Sequence, residues 1–133
     1  MATRQPCAGG VVLDGDGRIL LIRRGQEPSL GFWSVPGGRC RPGETPADAC
    51  VREVAEETGL RVQVTRLAGT VERDGPAGVA YDIDDFVCTV VGGALQAGDD
   101  ALEARWVSAA DLAGLDVVPG LIDCLRDWEL MPR

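Results

Sequence analysis

Glu53 stands three residues before Glu56 and four before Glu57, with Arg52 directly ahead of them. On a helix that spacing crowds three carboxylates onto one turn. Each like-charged neighbour pair then costs roughly 0.2–0.5 kcal/mol, and one arginine cannot neutralise three acids. Hard divalent ions such as Mg²⁺ or Mn²⁺ take oxygen ligands and bridge carboxylates to phosphates, so an ion here turns repulsion into binding. The loop 37–43 lies beside the same face and offers a main-chain carbonyl, at Gly37, as a further ligand. Two plainer readings stand beside this one. Acidic clusters on helices are commonly solvated faces, and Arg52 with Glu44 makes an ordinary surface ion pair worth about 0–1 kcal/mol.

The helix that must carry these acids is well marked. Thr45 suits its N-cap, Pro46 its first position, and Asp48 the positive end of its dipole, while Gly59 is placed to end it. Ala47, Cys50, Val51 and Val54 recur at helical spacing as an apolar stripe for the core, which leaves the glutamates on another face. Ahead of it, residues 9–13 and 18–23 are apolar runs joined by Asp14-Gly15-Asp16-Gly17, turn chemistry that predicts an antiparallel hairpin. Phe32 to Val35 leads into Pro36-Gly37-Gly38, where paired glycines permit unusual backbone angles and close approach by a ligand.

After the helix, residues 60–71 and 81–91 read as two strands, with Asp74-Gly75-Pro76 as their turn. A polar loop from Gly92 to Asp100 precedes a short strand over 104–107. Ser108 caps a helix over 109–115, and 119–128 reads as a closing helix. Trp106 and Trp128 read as structural. No repeat, low-complexity tract or linker divides the chain, so residues 1–133 are expected to form one domain. The expected fold class is α/β or α+β, a mixed sheet with helices on both faces.

Composition narrows the chemistry. The chain has 133 residues, 45% hydrophobic and 26% charged, an ordinary balance for a single globular core. It has no histidine, and its thirteen basic residues are all arginine. Imidazole bases and ligands are therefore excluded, and any acid, base or metal ligand must be a carboxylate. A net charge of −8 argues against nucleic acid as a partner, since that grip depends on Lys and Arg meeting phosphates. The five cysteines are scattered without C-x-x-C spacing and read as reduced thiols. No apolar run reaches the roughly 20 residues that span a bilayer, and the opening MATRQPCAGG lacks a secretory apolar stretch, so no membrane partner and a cytoplasmic location are expected.

The segment GRCRPGETPADACVREVAEETGL, residues 38–60, resembles the Nudix box. Gly38, Glu44, Arg52, Glu53, Val54, Glu56, Glu57, Gly59 and Leu60 occupy all its constrained positions. The resemblance implies a Nudix-type α/β/α sandwich that hydrolyses a diphosphate linkage with Mg²⁺ or Mn²⁺. It implies Glu56 and Glu57 as metal ligands, Glu53 as a third ligand or the base that activates water, and Arg52 with Glu44 as the pair that orients loop and glutamates. A further acid outside the box is expected among Asp99, Asp100 and Glu103, each of which also reads as a solvated loop acid.

The segments YDIDDFVCTVVGG and AGDDALEARWVSAADLAGL resemble the ADP-ribose pyrophosphatase branch, which implies a small nucleotide substrate such as ADP-ribose, cut to AMP and ribose 5-phosphate. Oxidised or non-standard nucleoside triphosphates are the second expectation, and a non-catalytic nucleotide sensor the third. Trp33 and Phe32 are candidates to stack on a base, and Arg23 and Arg24 to meet phosphates. Core packing for Trp33 and solvation for the arginines are the competing readings. Tyr81 is a further pocket candidate, standing with Ala80 where many relatives carry a histidine or another bulky residue. A homodimer is expected by analogy with relatives.

Overall fold

A computed structural model describes residues 3–98 and 100–133. The elements are β1 (Thr3–Val12), β2 (Ile19–Arg24), β3 (Trp33–Ser34), β4 (Gly37–Arg39), α1 (Pro46–Thr58), β5 (Leu60–Asp74), β6 (Val79–Gly93), β7 (Ala101–Val107), α2 (Ala109–Leu112) and α3 (Leu121–Asp127). The α+β class holds, with the strands divided between two sheets. One has the order β4-β1-β6-β5 and the other β3-β2-β7. In the first sheet β1 runs parallel to β6 and antiparallel to β4. The second is antiparallel throughout.

The expected hairpin is corrected. Asp14 does organise the turn, its Oδ1 accepting from the main-chain N–H of Asp16 at 3.0 Å and of Arg18 at 2.8 Å. Beyond a single bridge between Leu13 and Ile19, however, β1 and β2 part into different sheets. Ile19 to Ile22 is buried on both faces, as a strand enclosed between two layers must be. Local turn chemistry could not reveal that each strand has better partners far along the chain.

Period-two alternation then sorts side chains between two cores. Val12 and Leu20 face one, with Ala49, Cys50 and Val54 of α1, while Val11, Ile19 and Leu21 face the other, with Leu121 and Leu125 of α3. The strands are thus enclosed between α1 on one side and α2 and α3 on the other.

Helix α1 starts and stops where its signals stand. Thr45 Oγ1 accepts from the Asp48 N–H at 3.1 Å, and Gly59 takes a left-handed φ of 74° while donating to the Ala55 carbonyl. Ala49 takes the buried place that spacing assigned to Ala47, and Glu57 is also buried. The turn between β5 and β6 falls at Gly75 to Gly78, as expected. All five cysteines are free thiols, although the Cys50 and Cys88 sulfurs lie 3.6 Å apart in the core. Among the described residues no helix is long and apolar enough to cross a membrane.

Candidate active site

Arg52 is the hub on which the α1 acids are arranged. Its Nε and Nη2 each donate to Glu44 at 2.8 Å, a bidentate pair, while Nη1 donates to Glu53 at 2.8 Å and to Glu56 at 3.2 Å. Nη2 also donates to the Arg39 carbonyl at 3.0 Å, which fixes the loop between β4 and α1. The Arg52 hydrogen bonds, with help from the Arg41 N–H, hold the Glu44 carboxyl down to about 2. Glu56 is further paired with Arg41 at 3.3 Å.

Glu57 is treated differently. Only 6% exposed, it accepts one hydrogen bond that the structure records, from the Gly37 N–H at 2.8 Å. Burial pushes its carboxyl well above the ordinary range, and the neighbouring Glu53 pushes it further, against the pull of the Gly37 N–H. Gly38 leaves room for this pair, since a Cβ there would lie 2.7 Å from the Glu53 carboxylate and push it from its place beside Arg52. A Cβ on Gly37 would lie 2.5 Å from the Ala8 carbonyl oxygen. Paired glycines therefore serve close approach by the chain's own backbone and by Glu53.

The fit to a divalent ion rests on this charge shortage. Glu53 and Glu57 are two neighbouring, largely enclosed carboxyls, and the donors recorded on them are Arg52 and one amide. A hard cation supplies what they lack. Among the described residues no three acids or thiols converge into a finished ligand sphere, since Glu56 is turned toward Arg41 and Arg52.

These acids open onto a cavity of about 830 Å³, a volume suited to a nucleotide-sized ligand. Of the other sequence candidates, Gly37, Arg24, Tyr81 and Asp100 line it. Arg24 Nε donates to the Pro28 carbonyl at 2.7 Å, Asp100 accepts from Gln26 at 2.8 Å, and the Arg39 guanidinium lies 5.8 Å from the Tyr81 ring centre.

The structure does not bring Arg23, Trp33, Phe32 or Glu103 to this cavity. Arg23 donates to the Gly31 carbonyl at 3.0 Å and lies 3.7 Å from Glu103. Trp33 is in the α3-side core at 6% exposure, with the Arg105 guanidinium 5.4 Å over its ring, so its faces are not open to a base. Both were expected as substrate contacts, and they pair with each other across β2 and β3. Glu103, expected as a possible metal ligand, stands opposite Arg23 in the β2–β7 register and outside the cavity lining. Asp99 lies outside the described residues.

Sequence reasoning missed Asp85. It lines the cavity, is only 8% exposed, and its Oδ1 has no hydrogen-bond partner among the described residues. Burial raises its carboxyl to about 6, against the attraction of Arg73. A signal existed: Asp82 and Asp84 alternate onto one face of β6, whereas Asp85 falls in phase with Tyr81 and Ile83.

Comparisons with known proteins place the fold and the family. The chain is 42% identical over 107 residues to "ADP-ribose pyrophosphatase" of Methanocaldococcus jannaschii, covering 78% of this chain and 62% of that one. It is 35% identical over 106 residues to human "8-oxo-dGDP phosphatase NUDT18", covering 77% of this chain and 32% of that one. It thus spans less than two thirds of the length of these curated relatives. Its fold matches the crystal structure of the MutT protein from Methanosarcina mazei Go1 with a TM-score of 0.82 at 24% identity, over 96% of this chain and 94% of that one. The NUDIX domain model matches residues 3–127, nearly the whole chain and every residue placed at the cavity above, and the protein belongs to the NUDIX domain family.

Proposed function

We propose that this chain is a metal-dependent pyrophosphohydrolase that splits the diphosphate linkage of a nucleoside diphosphate derivative, with ADP-ribose to AMP and ribose 5-phosphate as the favoured reaction. The observation that carries this reading is the charge-poor Glu53–Glu57 pair at the wall of a nucleotide-sized cavity. The similarity to an ADP-ribose pyrophosphatase favours the substrate.

Glu53, Glu56 and Glu57 would hold Mg²⁺ or Mn²⁺, with the Gly37 carbonyl and Asp100 as further oxygen donors. When bound, the ion supplies polarisation of the diphosphate oxygens and a lower pKa for water. The protein's own residues do the rest. Arg52 keeps Glu53 in one rotamer through the 2.8 Å bond to Oε1, which leaves the other oxygen free to bind the ion or take a proton from water. The Gly37 N–H holds Glu57 against the loop, so loop and helix form one rigid wall. Arg24 lines the cavity as a cation for the diphosphate.

A second reading keeps the chemistry and changes the substrate to an oxidised or non-standard nucleotide, favoured by the similarity to an 8-oxo-dGDP phosphatase. A non-catalytic sensor is disfavoured because all four box glutamates are present. The test is turnover of ADP-ribose, nucleotide sugars, dinucleoside polyphosphates and standard or oxidised di- and triphosphates with Mg²⁺, Mn²⁺ or chelator, with products identified. AMP release from ADP-ribose that the chelator abolishes is expected. Turnover restricted to oxidised nucleotides would move the assignment to the second reading, and saturable nucleotide binding without any turnover would overturn hydrolysis.

A further inference from the structure

Asp85 is a buried acid that the reaction outlined above does not use. In the sheet register it sits between Gly9 of β1 and Gly69 of β5. Both neighbours lack a side chain, and the space is taken. A Cβ on Gly9 would stand 2.3 Å from Asp85 Oδ1, and one on Gly69 would stand 2.3 Å from Nε1 of Trp128. The glycine at position 9 makes the seat for the carboxylate, yet among the described residues nothing donates to its enclosed Oδ1.

A buried carboxylate oxygen without a donor costs free energy, and such groups are rare enough that each calls for a cause. Arg73 acts on Asp85 through charge alone, with no ion pair within 4.0 Å; its guanidinium lies against Gly120, where a Cβ would meet Nη2 at 2.9 Å. Oδ1 is sealed against Gly9, so a ligand meets the carboxylate at its other oxygen, on which no donor is recorded among the described residues either. Asp85 shares the cavity with Val71, Ile83 and Leu121, apolar side chains, with Tyr81, an aromatic one, and with Arg73. An ionised carboxylate only accepts hydrogen bonds. A flat, largely apolar group with N–H donors on its edge matches both the walls and the acid.

We propose that the Asp85 end of the cavity is a nucleobase subsite, in which the Asp85 carboxylate accepts N–H donors from the base edge and so determines which nucleotides are held. This deepens the hydrolase reading above and rests on it for the placement of the diphosphate at the α1 end. The elevated carboxyl of Asp85, at about 6, is consistent with an acceptor awaiting its donor.

Binding tests the subsite without requiring turnover. The probes are AMP, GMP, purine riboside 5′-monophosphate, which has no N–H on its base, and ribose 5-phosphate, which has no base. Each is titrated calorimetrically at fixed Mg²⁺ into the full chain and into Asp85→Leu, which keeps a branched shape and removes both acceptor oxygens. AMP and GMP are expected to bind the native chain about tenfold or more tightly than the donor-free purine and to lose that advantage in the variant, while the other two probes barely change. Gly9→Ala, which displaces the carboxylate without removing it, should reproduce the loss, and thermal unfolding checks that each variant folds.

Equal binding of AMP and the donor-free purine would overturn the subsite. So would a loss in Asp85→Leu shared by ribose 5-phosphate, which would assign Asp85 to sugar hydroxyls, and so would absence of saturable AMP and GMP binding. Failure of every diphosphate substrate to turn over, with the donor-dependent binding intact, would reject hydrolysis alone and leave the subsite standing.

Discussion

At the α1 end of the cavity Arg52 touches Glu44, Glu53 and Glu56, and Arg41 adds a second cation to Glu56. At the β6 end Asp85 meets no donor at its enclosed oxygen among the described residues, and its strand neighbours are glycines. The first arrangement uses charge to hold rotamers, the second leaves a charge without any such use. Glu57 stands between these extremes, buried like Asp85 yet held by one amide. A paired acid reports how the protein positions itself. An unpaired one reports what the protein leaves for something else to complete.

The largest effect that would test this contrast lies at Glu57. Glu57→Gln keeps the shape and the Gly37 contact but removes a negative charge, so steady-state turnover is expected to fall about a thousandfold while circular dichroism and the unfolding transition stay close to native. Near-normal turnover would show that the buried acid of α1 is structural.

Asp85→Asn should act on stability in a pH-dependent way. The native carboxyl rises from 3.8 to about 6, so the folded state holds its proton to higher pH than the unfolded chain does. Stability of the native protein is therefore lost as pH rises through that window, by about 3 kcal/mol in full, and the neutral amide escapes the loss. Unfolding midpoints of the two proteins should agree near pH 3 and separate by pH 7, with the variant the more stable. A variant less stable at pH 7 would mean that Asp85 has an internal partner after all.

The smallest expected effect is at Arg52. Arg52→Lys retains the charge but not the bidentate fork to Glu44, so turnover should fall about ten- to a hundredfold while the cavity still binds nucleotide. Unchanged kcat would show that the loop between β4 and α1 holds its place without that fork.

Much of the α1 end was legible in the sequence because its information is local. Caps at Thr45 and Gly59, the helical spacing of the glutamates and the box pattern all lie within 23 residues, from 38 to 60. Asp100, Tyr81 and Arg24 were reachable as candidates, but equally polar neighbours were named beside them, and only the fold separated Arg24 from Arg23. Adjacent residues on a strand point to opposite faces, so a shift of one position decides which arginine lines the cavity.

By itself the sequence determined the helix, its ends, the acids that crowd one turn, and the absence of any imidazole or lysine. Tertiary structure decided the rest: that β1 and β2 separate after one bridge, that one guanidinium reaches three glutamates, that Glu57 is buried, and that Asp85 faces the cavity on a seat made by Gly9. Each of these depends on contacts between residues far apart in the chain, such as Gly37 with Glu57 and Gly9 with Asp85. No local propensity encodes such a pairing, because its free energy exists only once the sheets and helices have closed around it.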